Sequence, residues 1–309
     1  ELSYPGGCEL GPRPIDLHLT ALRTLGAEIS EIGGSLLCRA ECLRGGDILL
    51  TLPSVGATEN AILAACGAEG TTIISNAARE PEIVDLQDFL QKLGADVHGA
   101  GTSTITVRGG GVRHGCVHRC IGDRIAAATY LCAAAAAGGQ VTLQGVDYRH
   151  LATVTTALGQ AGCRLQCTED SITLESDGRL RAIPPVRTSP YPGFPTDAQA
   201  PLMAALLRSE GAVMFVENMF DSRYRHVPEL VRMGADIRLE GRVAVVYGTR
   251  ELHGAAVRCT DLRGGAALAI AALQTPDATL IHEIYHIQRG YQDMAGDLRA
   301  LGADAAVEV

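Results

Sequence analysis

The chain has 309 residues, 47% of them hydrophobic, with 36 glycines, four phenylalanines and no tryptophan, so its core is built from Ala, Leu, Val and Ile. That length holds two domains. A net charge of −9 speaks against nucleic acid or an anionic membrane surface as the main partner, and an anionic ligand then needs a local cationic pocket. No apolar run suffices to span a bilayer, and ten cysteines in a chain of this size make no disulfide scaffold, which points to free thiols in a reducing cytoplasm.

The opening "PGGCELGPRPIDLH" puts Cys8 on a glycine-flanked segment five residues before Arg13. A nearby fixed cation makes a thiol more acidic and more reactive. "PSVGATENAILAA" reads as a Ser/Gly turn entering a helix, with Ser54 as its N-cap. The strand "TTIISN" precedes "PEIVDLQDFLQKLGA", where Ile83, Leu86, Phe89, Leu90 and Leu93 follow helical spacing and Pro81 suits the first turn. Short strands follow in "ADVHGAGTSTITVRG".

"HGCVHRC" places His114, Cys116, His118 and Cys120 on one face of a strand, a zinc-like pattern, but it is read here as a plain strand leading to a crossover, with no metal. "GDRIAAATYLCAAAAAGG" is an alanine-rich buried helix opened by Asp123 and Arg124, and "QVTLQG" is the next strand. "GFPTDAQAP" sets Asp197 in a proline-bounded turn before a helix, where an aspartate commonly caps. The strands "VMFVEN" and "TLIHEI" flank "TDLRGGAAL", which carries Asp261 and Arg263 into a second alanine-rich helix.

One phrase recurs: "LGAEIS", "LGADVH", "AGCRLQ", "MGADIR" and "LGADAA", with Gly26, Gly94, Gly162, Gly234 and Gly302 spaced by 68, 68, 72 and 68 residues. This is an internal repeat of a mixed α/β unit, strand–helix–strands–helix, with the glycine ending a helix. The period is too long for a common solenoid and suits units arranged about a pseudo-threefold axis. Near the start of the helix before each glycine stands an arginine: Arg13, Arg79, Arg149, Arg225 and Arg289. A cation there opposes the helix dipole unless an anion lies between it and the free N–H groups. The recurrence predicts that at least two of them converge on an anionic ligand.

Seven collinear motifs, "PGGCELGPRPIDLH", "PSVGATENAILAA", "NAAREPEIVD", "FPTDAQAP", "RYRHVPELVRMGA", "TDLRGGAAL" and "IYHIQRGYQDM", make the chain resemble the UDP-N-acetylglucosamine 1-carboxyvinyltransferase family of enolpyruvyl transferases over nearly its whole length. The resemblance implies an α/β fold, a two-domain inside-out α/β barrel of repeated βαβαββ units with helices inside and sheets outside. It implies transfer of the enolpyruvyl group of phosphoenolpyruvate to the 3′-hydroxyl of UDP-N-acetylglucosamine, releasing phosphate, an early step of peptidoglycan precursor synthesis that needs no cofactor.

It makes Cys8 the proton donor that can bond to the enolpyruvyl unit, Arg13 and Arg289 the phosphate grip, and Arg13, Pro14, Ile15, Asp16 and Leu17 the uridine lining. Ser54, Val55 and Gly56 present N–H groups to the diphosphate; Leu52 departs from the family, which often has Lys there. Asp197 becomes the base, its pKa raised toward working pH in a closed cleft and its side chain steadied by Thr196. Asp261 assists proton transfer or pairs with an arginine, and Met219 lies against the uracil.

The expected domains are 1–121, carrying the cysteine loop and UDP-sugar contacts, and 122–309, carrying the base. Four and a half repeats against the six of two three-unit domains predict a chain N-terminally incomplete by about a quarter, inactive alone, with the remaining segment as a candidate separate partner chain. The alternatives are transfer to shikimate 3-phosphate on the same fold, which Cys8 and "SVGATEN" oppose, or a non-catalytic UDP-sugar-binding chain of a split enzyme.

Overall fold

A computed structural model describes residues 2–3 as backbone, 15–249 and 251–307. Cys8, Arg13 and Pro14 fall outside them. The described chain divides into two compact units, 2–3 and 15–121 with Pro190–Pro192, and Gly122–Ser189 with 193–307. Among the described residues no helix is long and apolar enough to cross a membrane.

The first unit runs β1 (Leu2–Ser3), α1 (Asp16–Thr24), β2 (Glu28–Ile32), β3 (Ser35–Arg39), β4 (Asp47–Leu49), α2 (Val55–Cys66), β5 (Thr71–Ser75), α3 (Pro81–Lys92), β6 (Asp96–His98) and β7 (Thr104–Arg108). Its sheets are β1-β3-β2 and β4-β5-β7-β6; in the second, β4 and β5 are parallel and the other pairs antiparallel. Helix α2 is buried through Ala57, Ala61, Ile62 and Ala65, whose small side chains let sheet and helix close tightly.

The second unit runs α4 (Arg124–Ala137), β8 (Gly139–Gln144), α5 (Ala152–Ala161), β9 (Arg164–Cys167), β10 (Ser171–Ser176), β11 (Val186–Arg187), α6 (Thr196–Ala205), β12 (Ala212–Val216), α7 (Val227–Arg232), β13 (Asp236–Glu240), β14 (Val243–Tyr247), β15 (Ala256–Arg258), α8 (Leu262–Ala272), β16 (Leu280–His282), α9 (Tyr285–Gln288) and α10 (Met294–Ala300). Sheet β11-β12-β14-β13 repeats the topology of β4-β5-β7-β6, and β15-β16 repeats its parallel pair. Helices α4, α6 and α8 pack on one another as the centre of the unit, and the strands cover them. In β12, Val213 and Phe215 face inward while Ala212 and Met214 face out, the alternation of a sheet with one solvated side.

The repeat is carried by backbone. Gly26, Gly94, Gly162, Gly234 and Gly302 all have φ between 87° and 116° and close helices α1, α3, α5, α7 and α10. The predicted strand through "HGCVHRC" does not form. The N–H groups of Gly110 and Gly111 are spent on the Cys66 carbonyl and those of Arg113 and His114 on the Leu93 carbonyl. The stretch 110–114 thus caps the C-termini of α2 and α3, and the residues that follow, through Cys120, take no strand conformation.

Two glycines mark equivalent close approaches. A Cβ at Gly109 would lie 1.7 Å from the Ala68 carbonyl oxygen, and one at Gly248 would lie 1.6 Å from that of Ser209. Gly248→Ala therefore forces β14 off the end of α6, and we expect a loss of about 2–4 kcal/mol of stability. Chemical denaturation of the variant beside wild type checks this; an unchanged midpoint would show that the strand end shifts freely.

Candidate active site

The N-terminal ends of α4, α6 and α8 gather three arginines and three aspartates. Asp123 caps α4, its Oδ1 accepting from the N–H groups of Ile125 at 2.8 Å and Ala126 at 2.9 Å. Asp261 caps α8, accepting from Arg263 at 3.1 Å and Gly264 at 3.0 Å. Each is an aspartate in extended conformation before a helix, which is why the chain starts helices there. Helix α6 opens differently: Pro195 occupies the cap position without a side-chain bond, and Asp197 lies in the first turn, so it is not the cap that its sequence setting suggests.

Arg223, in a short 3-10 turn before α7, is 2% exposed and fills the centre. Its Nε and Nη2 donate to the Thr196 carbonyl at 3.2 and 2.9 Å, Nη2 also donates to Asp197 Oδ1 at 2.8 Å, and Nη1 lies 3.9 Å from Asp261 Oδ1. Arg263 approaches Asp197 from α8, Nε to Oδ1 3.6 Å, and Nη1 donates to the Tyr291 hydroxyl at 3.0 Å. Asp197 is still 45% exposed, open on one side.

Burial acts to raise the Asp197 carboxyl, but Arg223, Arg263 and Arg124 outweigh it and hold the group below the usual carboxylate range. This corrects the expectation of a pKa raised by a closed cleft: three guanidinium groups act on the carboxylate and outweigh its burial. The expected Thr196 support is also different. Its hydroxyl donates to Glu217 Oε2 at 3.0 Å and its carbonyl, not its hydroxyl, serves the site by holding Arg223. Glu217 in turn accepts from the N–H groups of Met219 at 2.8 Å and Phe220 at 3.1 Å, fixing the turn that displays Met219.

Asp261 is buried as helix cap and distant partner of Arg223, an arginine outside its own motif. His226 is fully buried; its Nδ1 donates to the Arg223 carbonyl at 3.1 Å, and its Nε2 has no hydrogen-bond partner among the described residues. Burial pushes its pKa down to about 4, against the opposing pull of Asp261.

In the first unit, Ile15 precedes α1 and Asp16 and Leu17 form its first turn, while Val55 and Gly56 form that of α2. Ser54 caps α2, its hydroxyl accepting from the Ala57 N–H at 3.4 Å, as expected of a capping serine. The two helix starts are neighbours: His18 Nδ1 meets Asn60 Nδ2 at 2.6 Å, and a Cβ on Gly56 would lie 3.2 Å from the His18 ring. Leu52 stands exposed where a cation would complement an anion at this start.

Of the helix-start arginines, Arg13 lies outside the described residues. Arg149 is occupied by Asp147, at 2.6 Å from Nη2 to Oδ2. Arg289 lies exposed at the end of α9, since α10 has its own cap in Asp293, and no hydrogen bond or ion pair among the described residues joins it to Asp197. His118 and Cys120 approach Asp85, and the three ligating atoms lie within 4.8 Å of one another. The His118 ring is engaged at both nitrogens, Nε2 with Asp85 at 2.9 Å and Nδ1 with Lys92 at 3.1 Å, so the cluster ties the connector to α3. Sequence reasoning missed Arg223, Glu217 and Tyr291; "RYRHVPELVRMGA" and "IYHIQRGYQDM" contain two of them, but only burial picks them out.

Fold and sequence comparison together define an enolpyruvyl transferase. The family described as EPSP synthase (3-phosphoshikimate 1-carboxyvinyltransferase) matches residues 1–298, and the chain belongs to that family. Within it, the chain is 47% identical to UDP-N-acetylglucosamine 1-carboxyvinyltransferase 2 of Caldanaerobacter subterraneus, over 98% of this chain and 73% of the relative. It is 49% identical to the UDP-N-acetylglucosamine 1-carboxyvinyltransferase of Zymomonas mobilis, over 98% of this chain and 71% of that protein. The structure of the enolpyruvyl transferase NikO from Streptomyces tendae superposes with a TM-score of 0.86 at 26% identity, covering 95% of this chain and 72% of that one. An EPSP synthase structure from Acinetobacter baumannii shares the fold, TM-score 0.73 at 21% identity, covering 96% and 72%.

His226 gives the unit an acid liability. Its folded pKa of about 4 lies below the ordinary 6.5, so between those values the unfolded chain takes up a proton that the folded chain refuses, and stability falls as pH drops from about 6.5 to about 4. His226→Gln keeps an N–H donor without titrating. Urea midpoints at pH 7 and pH 4.5 should therefore fall less in the variant than in wild type; equal falls would place the acid sensitivity elsewhere.

Proposed function

We propose that the chain transfers the enolpyruvyl group of phosphoenolpyruvate to the 3′-hydroxyl of UDP-N-acetylglucosamine, releasing phosphate. The observation that carries this reading is Asp197, a half-open carboxylate beside Arg223 and Arg263 at convergent helix starts, in a chain 47–49% identical to two carboxyvinyltransferases of that substrate. Addition puts the sugar oxygen on C2 of the enolpyruvyl group and a proton on C3. Elimination removes a C3 proton and phosphate and restores the double bond.

Asp197 receives the hydroxyl proton. In the resting site it is a weak base because the arginines stabilise its charge. An anionic substrate that neutralises those guanidinium groups raises its proton affinity, so base strength appears when the substrate is in place. Asp261 contributes by fixing α8 and balancing Arg223. Cys8 supplies the C3 proton, and Arg13 and Arg289 hold the phosphate. Ile15, Asp16, Leu17 and Pro14 line the uridine site with Met219 against the base, and Ser54, Val55 and Gly56 offer N–H groups to the diphosphate. Residues 1–121 and 122–309 act as the two domains, and the free described thiols suit a cytoplasmic reaction. The relatives extend beyond the matched region, and we include in the proposal that turnover needs that additional segment, in the same chain or as a partner.

Asp197→Asn keeps the size of the side chain and removes the proton acceptor, so phosphate release should fall roughly 10²–10⁴-fold with UDP-sugar binding little changed. Turnover within a few-fold of wild type moves the base elsewhere. Binding of shikimate 3-phosphate in place of the UDP-sugar would overturn the substrate assignment. An enolpyruvate-mimicking epoxide added with the UDP-sugar should label Cys8, read by peptide mass mapping; an adduct on buried Cys66 or Cys132 instead would remove Cys8 from the reaction.

A further inference from the structure

Arg263 is held from two sides. Its Nε faces Asp197 Oδ1 at 3.6 Å, too far for a hydrogen bond, and has no other acceptor among the described residues. Its Nη1 donates to the Tyr291 hydroxyl at 3.0 Å, with the guanidinium carbon 5.7 Å from the ring centroid. Tyr291 is buried, and its hydroxyl meets Thr129 Oγ1 at 2.7 Å. The hydrogens can be assigned by inventory. Thr129 donates its one hydrogen to the Ile125 carbonyl at 3.0 Å, so toward Tyr291 it accepts and Tyr291 donates. The Tyr291 oxygen is left with lone pairs only, and these receive Arg263. A one-way chain therefore runs from Arg263 through Tyr291 and Thr129 into the backbone of α4. Tyr130 braces the ring edge-on, centroids 6.3 Å apart, and donates its own hydroxyl to Asp297.

We propose that Tyr291 is a positioning residue that holds Arg263 back from Asp197, so that one guanidinium stays available to an anionic substrate. The catalytic consequence rests on the reading of Asp197 as the base. With the tyrosine oxygen removed, Nη1 loses its acceptor and the bare Nε closes on Asp197. The groups that face Asp197 are Arg223 from the 3-10 turn, Arg263 from α8 and Arg124 from α4, with Asp261 across Arg223; Asp123 also acts on Arg263.

The test follows the Asp197 carboxyl by carbon NMR in the full chain carrying labelled aspartate, its resonance assigned with Asp197→Asn. In Tyr291→Phe the titration midpoint should move to lower pH, and in Thr129→Val it should move the same way by less. Tyr130→Phe should leave it unchanged, and adding Arg263→Met to Tyr291→Phe should abolish the shift. An unchanged or higher midpoint in folded Tyr291→Phe overturns the tether, and should that variant not fold, Thr129→Val decides by the same criterion. In the active protein, Tyr291→Phe should lower kcat roughly tenfold with KM for the UDP-sugar unchanged. If Asp197→Asn retains turnover while the NMR shift is seen, the base assignment falls and the tether stands.

Discussion

A fully buried guanidinium at the N-terminal ends of two helices is the arrangement on which the rest of the second unit depends. Both the helix dipoles and desolvation oppose a cation there. Arg223 stays because Asp197 and the Thr196 carbonyl, from the start of α6, and Asp261, from the start of α8, surround it. The charge on Asp197 and the orientation of α6 against α8 are set together by this one side chain. A cation that the fold cannot expel is also one that an incoming anion can use.

Such a centre is possible only because the helices around it are narrow. In α4, α6 and α8 the contact positions are largely alanine and glycine, so backbones approach and the helix starts come within reach of single side chains. Larger residues would push the starts apart and leave Arg223 with one partner. The burial that this packing produces also strands polar atoms, among them both side-chain polar atoms of Gln199, which have no partner among the described residues. These are costs the interior carries for closeness.

The repeat, the helices and most strands were legible in the sequence because each leaves a local mark: a glycine phrase, an apolar period, a β-branched run. Asp197 was singled out by family resemblance alone, since its proline-bounded turn suggested a helix cap. The residues that give Asp197 its chemistry leave no such mark. Arg223 follows a Ser and precedes a Tyr like any surface arginine, and its burial arises from α6 and α8, about twenty-five to forty residues away on either side. The same limit explains the misjudged pKa, since a carboxylate's proton affinity is decided by neighbours that chain order does not reveal. "HGCVHRC" failed for the opposite reason. Its alternation is real, but the chain leading into it, residues 110–114, is tied to the ends of two helices, and no strand follows.

The close approach at Gly109 and Gly248 bears on how such a molecule diverges. A duplicated unit can exchange nearly every side chain, as the two four-stranded sheets have done, provided the new set still packs. At these two points there is no side chain to exchange, because the neighbouring carbonyl occupies the space itself. The ancestry of the units is therefore written most durably where atoms are missing. Two copies that no longer share a recognisable core can still be registered against each other by the places where a carbonyl presses against bare backbone.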